Sequence, residues 1–373
     1  MKKWFVVFIL SHLAIANSFG QKDQQFKFKI DGTINADTGT VHLFFFTEYI
    51  PNKAKELVAN VKNNKFTFSG YIPEPQGVYI LLDDRYMSSN FIIQKGLQNI
   101  TINVDSSRKV PDVKNNIMIN EYPNYTSFFE QIHTKWDSFY QKDDSLRAVY
   151  NNKMPEEIKI NQTNEYNNLC ILDNSTLLQY VKKQPNSEIA FWRTIDLMSW
   201  GYEPIFDSIY NAFSYKLKNG YAGKVLNNKL KNGKQLSIGK QFPTMQCVDT
   251  NNIKFSKDLF FNKKLTLVDF WYSKCGPCRS QFNSLKDLYN KYSNKGFEIV
   301  GISVDRDTDQ KQWEDMIIKD KLIWQQYWDK DGKETKSLSI FVFPTNFLID
   351  NTGKIIQKNI SMEELEGLLN KSL

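Results

Sequence analysis

The stretch FWYSKCGPCRSQF, Phe270 to Phe282, decides the fold of the chain's last third. It joins the end of an apolar run, KLTLVDFW, to a segment of helical spacing, CGPCRSQFNSLKDLYNKYS. A short apolar run bounded by polar residues reads as a strand buried on both faces, and apolar residues recurring every three or four positions read as a helix. Outward from this junction follow a second buried strand, GFEIVGISVD, and a helix, QKQWEDMIIKD. A hairpin of FPTNFLID and GKIIQKNI around Asn351-Thr352-Gly353 comes next, and then a last helix from Ser361. A βαβ unit followed by a hairpin and a helix predicts a mixed sheet covered by helices, an α/β domain over 233–373.

The cysteines of this stretch constrain its chemistry. Cys275 is expected at or just before the first turn of the helix, where unpaired N–H groups and the positive end of the helix dipole favour an anion. Lys274 adds a positive charge, so the Cys275 thiolate is expected to be stabilised. Cys278, three positions on, returns to the same helix face and can attack a mixed disulfide formed at Cys275. Pro277 suits the first helical positions, where its missing N–H has no partner, and Gly276 lets another chain approach the sulfur. A zinc half-site also uses Cys-x-x-Cys, but a second pair is absent and His12, His42 and His133 all lie far upstream. Redox chemistry is therefore favoured over a metal site or an inert disulfide, and no metal or organic cofactor is expected.

The rest of the chain divides by periodicity. From Gln21 to about Asp105 the pattern has period two, as in FKFKIDG, NNKFTFSG and NITINVD, predicting a sandwich-like antiparallel β domain over 21–105. From 106 to 232 the period lengthens into a helical connector. There STLLQYVKKQPNSEIAFWRTIDLM reads as two helices broken at Pro185, with Asn186 or Ser187 as cap. EPIFDSIYNAFSYKLKNG reads as one amphipathic helix ending at Gly220. The tryptophans of this region, Trp136, Trp192 and Trp200, are read as packing residues.

The first twenty residues, MKKWFVVFILSHLAIANSFG, set two lysines before an apolar run and end in a small-x-small pattern. This reads as a signal peptide, residues 1–20, cleaved after Gly20, because the run is shorter than a membrane span needs. The cleaved protein would then reside in the periplasm or cell envelope without stable membrane insertion. Such a compartment permits disulfides, yet four cysteines are too few for a disulfide scaffold. Whether Cys170 and Cys247 pair is left open by the sequence. The net charge of +7 is spread along the chain without a basic stripe, so nucleic acid is not expected as a partner.

In VDFWYSKCGPCR, EIVGISVD and FPTNFLID, residues from about Gly239 to Leu373 resemble thioredoxin-like thiol-disulfide oxidoreductases of the TlpA/ResA type. The upstream part is similar to the extension of undefined role that precedes such domains in envelope proteins of Bacteroidota. The resemblance implies that the bond before Pro344 is cis and that this proline faces the cysteines, where the backbone binds substrate. It also implies that Asp269 is a buried carboxylate able to take a proton from Cys278, the role that burial of an acid between LTLV and FW would suit. Trp271, Lys274, Gly276, Pro277 and Phe343 are placed with Pro344 at the substrate-binding surface. The chain departs from the family at Gln281 and Asn283, where a Glu and a Pro are frequent, and at Lys274, where a Trp is usual. The implied partners are a disulfide-containing envelope protein as substrate and a membrane thiol protein as electron donor.

The expected function is a periplasmic disulfide reductase. One alternative is a peroxiredoxin-like peroxidase, but Tyr272 and Val268 stand where that class has Thr and Pro. The other is a binding protein of the envelope whose N-terminal region recognises a partner or ligand, with redox activity secondary.

Overall fold

A computed structural model describes residues 25–49, 56–83, 86–106, 109–151 and 153–373. The expected signal segment 1–20 lies outside the described residues. The chain forms two compact units, the first ending at Pro123 and the second starting at Asn124.

The first unit carries β1 (Phe26–Ile34), β2 (Thr40–Phe45), β3 (Glu56–Asn60), β4 (Lys65–Ile72), β5 (Gln76–Leu82), β6 (Tyr86–Met87), β7 (Phe91–Ile93), β8 (Gly96–Ile102) and β9 (Asp112–Lys114). They form one sheet of order β4-β1-β8-β9 and another of order β3-β2-β5-β6, with β7 also on β5. Period two is realised as expected: Phe28, Ile30 and Ile34, then Phe66 and Phe68, then Ile100 and Ile102 are buried. Phe28 of one sheet meets Phe45 of the other edge-on at 6.4 Å. Asn63 and Asn64 take φ of 51° and 60°, the left-handed pair that a tight turn requires. Among the described residues of this unit the strand pairings are antiparallel except β1 with β8, which lie parallel. The unit runs on past Asp105 because β9 extends the first sheet along β8.

Helices α1 (Met118–Val149), α2 (Glu156–Lys183), α3 (Glu188–Met198), α4 (Ile205–Ala212), α5 (Tyr215–Asn219) and α6 (Tyr221–Lys234) follow. The break at Pro185 is present, and Ser187 is the cap, its hydroxyl accepting from the Ala190 N–H at 2.9 Å. The segment expected as one helix up to Gly220 is instead two, α4 and α5. Phe213 is extended there (φ −66°, ψ 152°) so that its ring can bury against Phe191, edge-on at 5.4 Å, while the Ser214 N–H bonds the Pro185 carbonyl at 2.8 Å. Burial of one aromatic outweighs helical continuity. Of the tryptophans read as packing residues, Trp192 is buried, but Trp200 is 72% exposed.

The α/β part comprises β10 (Val248–Asp249), α7 (Asp258–Phe261), β11 (Leu265–Trp271), α8 (Gly276–Tyr292), β12 (Phe297–Ser303), α9 (Gln310–Lys319), β13 (Gln325–Trp328), α10 (Lys333–Ser337), β14 (Thr345–Asp350), β15 (Ile355–Lys358) and α11 (Met362–Ser372). This is the thioredoxin-like arrangement that the resemblance implied. The sheet order is β10-β13-β12-β11-β14-β15, with β11 parallel to β12 and antiparallel to β14. All seven residues of β11 are buried, as a central strand covered on both faces demands. Leu265, Leu267 and Trp271 belong to the core under α8 and α11, while Val268 and Phe270 belong to the core on the opposite face. The hairpin turns at Gly353 (φ 81°), tied by Asp350 Oδ1, which accepts from the N–H groups of Thr352 and Lys354. Strand β13, with its polar start Gln325-Gln326, was not foreseen; it inserts between β12 and the edge strand β10.

Candidate active site

Strand β11 delivers the chain to the middle of the sheet, and residues 272–275 turn it into α8. The turn closes when the Cys275 N–H donates to the Tyr272 carbonyl at 2.9 Å. Cys275 is the N-cap of α8: its Sγ accepts from the Cys278 N–H at 3.1 Å, and Pro277 occupies the first turn. Sulfur thus sits where an otherwise unpartnered helix N–H points, the position that stabilises a thiolate. The two cysteines form a disulfide with Cα atoms 5.3 Å apart. Both are buried, whereas Lys274, Gly276 and Pro277 between and beside them are exposed. A Cβ placed on Gly276 would meet nothing within 4 Å, so the space over the first turn is open to an approaching chain.

The Phe343–Pro344 peptide bond is cis. Phe343 stands edge-on to Tyr272 at 5.7 Å, and both rings pack against the core that includes Cys275 and Cys278. The structure therefore brings the segment before β14 beside the cysteine pair, although some seventy positions separate them in the chain.

Asp269 shares the α8 face of β11 by strand alternation with Leu267 and Trp271. It is 4% exposed, and burial pushes its carboxyl up to about 7. Opposite it in register lie Gly301 of β12 and Asn346 of β14. Asn346 is itself occupied, exchanging two hydrogen bonds with the Ile360 backbone ahead of α11.

Trp271 and Lys274 are placed differently from what the sequence suggests. Trp271, expected at the substrate surface, is 1% exposed; its indole N–H donates to Gln326 Oε1 at 3.0 Å and its ring meets Phe282 edge-on. A side chain so enclosed belongs to the core that includes the pair and has no face for substrate. Lys274, expected to lend charge to Cys275, places Nζ 2.8 Å from Asp309 Oδ1, so that charge is directed to a carboxylate.

A buried polar cluster escaped the sequence reading. Asp305, 3% exposed and just beyond β12, accepts from the Ser273 N–H at 2.9 Å, the Ser273 hydroxyl at 2.6 Å and the Ser303 hydroxyl at 2.6 Å. Its carbonyl accepts from the Trp328 indole at 2.8 Å. The signal available was an acid placed directly after an apolar strand, GISVD, where exposure would be the ordinary expectation. Cys170 and Cys247 are both free thiols, the first half-buried, the second buried and pushed up to about 12, mainly by burial. Among the described residues no cluster of three or more His, Cys, Asp or Glu is arranged to hold a metal ion, and no helix is long and apolar enough to cross a membrane.

Residues 238–358 match the AhpC/TSA family, and residues 28–122 match a domain of unknown function, DUF4369. The thiol-disulfide oxidoreductase ResA of Bacillus cereus is 31% identical over 164 residues, which covers 43% of this chain and 88% of that protein. Among solved structures, a thiol-disulfide oxidoreductase from Bacteroides fragilis is 36% identical, covering 36% of this chain and 100% of its own, with a TM-score of 0.33. The thioredoxin domain of a thiol-disulfide oxidoreductase from Bacteroides vulgatus is 31% identical, covering 36% of this chain and 97% of its own, with a TM-score of 0.33.

Proposed function

We propose that this chain, which belongs to the ResA family of thiol-disulfide oxidoreductases, works in the cell envelope as a reductase of protein disulfides. The observation that carries the reading is the Cys275–Cys278 disulfide at the start of α8, with Cys275 Sγ accepting the Cys278 N–H.

In the reduced protein the Cys275 thiolate attacks a substrate disulfide. One substrate sulfur leaves as a thiolate, and a mixed disulfide forms. Cys278, its proton taken by Asp269, then attacks Cys275 Sγ; the second substrate thiolate leaves and the pair is oxidised. Two electrons pass to substrate, and a membrane thiol donor is needed to return them. Burial of Asp269, with its carboxyl near 7, supports its place as proton acceptor close to neutral pH. Gly276 and Pro277 would border the incoming chain, with Phe343 and Pro344 on its other side and Trp271 beneath. Gly-Pro between the cysteines matches thioredoxin, whose potential of about −270 mV favours reduction of substrates. The exchange domain is read as 233–373, preceded by the helical connector, and the β domain expected over 21–105 runs on through β9. Envelope location rests on the signal-like residues 1–20.

Thiol trapping of the purified protein across a graded dithiol buffer tests this reading. A reversible two-electron transition near thioredoxin's potential, abolished in Cys275→Ser, is the expected result, and Cys278→Ser should accumulate a mixed disulfide with the natural partner. A potential near that of a strong oxidant would reverse the direction, and no reversible transition would refute the assignment.

A further inference from the structure

A polar row crosses the sheet on the face that lies under α8. Gly301 of β12 pairs in register with Asp269 of β11 on one side and with Gln326 of β13 on the other, and Asn346 of β14 lies beyond Asp269. By strand alternation all four share the face of Leu267, Ile299, Trp324 and Leu348, members of the core that holds Cys275 and Cys278. Gln326, 6% exposed, is thus an amide buried among apolar side chains, which only its hydrogen bonds can justify.

The Gln326 carboxamide lies over Gly301: a Cβ there would stand 2.2 Å from Oε1, 2.7 Å from Cδ and 2.9 Å from Nε2. The missing side chain at Gly301 is what lets the amide extend across β12. Oε1 accepts from the Trp271 indole at 3.0 Å, and this bond sets the orientation of the amide. Nε2 is buried with no hydrogen-bond partner. Pairing with Trp271 calls only for an acceptor, so it does not account for the burial of two N–H donors, which protein interiors rarely leave unused.

The unused donor is one strand away from a buried acid. Adjacent strands lie about 4.8 Å apart, so an amide resting on Gly301 stands beside Asp269, on the face to which the Asp269 side chain also points. Asn346, the register neighbour on the other side, uses its amide on the Ile360 backbone. Burial alone pushes the Asp269 carboxyl up to about 7, with no charged side chain contributing. The titratable groups of the core on this face are Cys275, Cys278 and Tyr292, with Tyr272 and Tyr289 partly buried against it, and α11 contributes Leu365 and Leu369. An ionised carboxylate in such surroundings calls for a donor, and Gln326 offers one in its own row.

We propose that Gln326 is a positioning residue for the exchange reaction: its Nε2 donates to the Asp269 carboxylate across Gly301, directly or through one water, and so keeps ionised the group that takes the Cys278 proton. The inference rests on the reading of the pair as a disulfide reductase with Asp269 as proton acceptor. When Cys278 attacks Cys275 Sγ, its proton passes to the Asp269 carboxylate, the substrate sulfur leaves as a thiolate, and Nε2 loses its anionic partner. The proton held by Asp269 is then available to Cys278 when a donor thiol reduces the pair again. A donor aimed at the carboxylate favours the base form and thereby sets the pH at which exchange begins.

The test uses the full chain and Gln326→Met, which keeps the length of the side chain and removes Nε2; Gln326→Leu repeats the deletion with different packing. In the disulfide form, where neither cysteine of the pair titrates, the Asp269 carboxyl carbon is followed by NMR in aspartate-labelled protein and assigned with Asp269→Asn. Its midpoint should lie about one pH unit higher in either Gln326 variant than in wild type. In the dithiol form, turnover of hydroxyethyl disulfide by the variants should be about tenfold slower than wild type at pH 6 and close to it at pH 9. Combined with Asp269→Asn, Gln326→Met should change turnover by the same factor at both pH values. An unchanged carboxyl midpoint overturns the proposal, as does a loss of turnover equal at pH 6 and pH 9, or a pH-dependent loss that persists in Asp269→Asn. Failure of the wild type to reduce hydroxyethyl disulfide would instead count against the reductase reading, and the carboxyl titration would still decide whether Gln326 acts on Asp269.

Discussion

Ser273 donates both its backbone N–H and its hydroxyl to the Asp305 carboxylate, at 2.9 and 2.6 Å, two residues ahead of Cys275. The end of β12 thereby holds the turn that presents the nucleophile. Asp305→Ala would strand two hydroxyls and a backbone N–H inside the protein, and should lower stability by about 2–4 kcal/mol in urea denaturation. Ser273→Ala removes one donor and should be milder, about 1 kcal/mol. Equal stability of Asp305→Ala and wild type would show that water replaces the carboxylate.

Asp269 sets a pH dependence with a definite sign. Its carboxyl is pushed from 3.8 up to about 7 by burial, so the folded protein holds the proton more tightly than the unfolded chain. This contribution to stability is fully present below about pH 4 and is lost as pH rises through 7. Asp269→Asn cannot ionise and should exceed wild type in stability above pH 7, by at most about 4 kcal/mol, with the two converging below pH 4. Its disulfide exchange should fall by up to about a hundredfold through loss of the proton acceptor. Denaturation curves at pH 4, 6 and 8 check the first point, and stopped-flow exchange checks the second.

Two glycines near the pair should respond oppositely to alanine. A Cβ on Gly301 would lie 2.2 Å from Gln326 Oε1, the acceptor of the Trp271 indole, whereas one on Gly276 meets nothing within 4 Å. Gly301→Ala should lower stability by about 1–3 kcal/mol, and Gly276→Ala should leave it within about 0.5 kcal/mol of wild type. Thermal melts of the two variants compare them directly. A larger residue at Gly276 should slow exchange with protein disulfides while leaving the melt unchanged.

The thiols should differ in reactivity. Cys247 is 1% exposed with its thiol pushed up to about 12, and Cys170 is half-buried with its thiol raised by desolvation. After mild reduction at pH 8, iodoacetamide should modify Cys275 first, because the Cys278 N–H donated to its sulfur at the start of α8 stabilises the thiolate although the residue is buried, Cys170 slowly and Cys247 only once the protein is denatured. Peptide mass mapping over time reads the order; early labelling of Cys247 would contradict its burial.

The α/β order, the central strand LTLVDFW and the cysteine pair at its exit were all legible in the residues, because a doubly buried strand, a helix start and a redox pair each have a local signature. The alternation of the β domain and the cap at Ser187 were legible for the same reason. Other features belong to the tertiary structure. Trp271 looked like a substrate contact beside Cys275, and only the position of β13 shows Gln326 enclosing it. Lys274 looked like a free charge until α9 and its approach put Asp309 at 2.8 Å. Asp305 and Ser273 are thirty-two positions apart. Local patterning determines which segments are strand, helix or turn, because those choices depend on near neighbours. Which polar groups meet in the core depends on contacts between segments that sequence spacing does not encode.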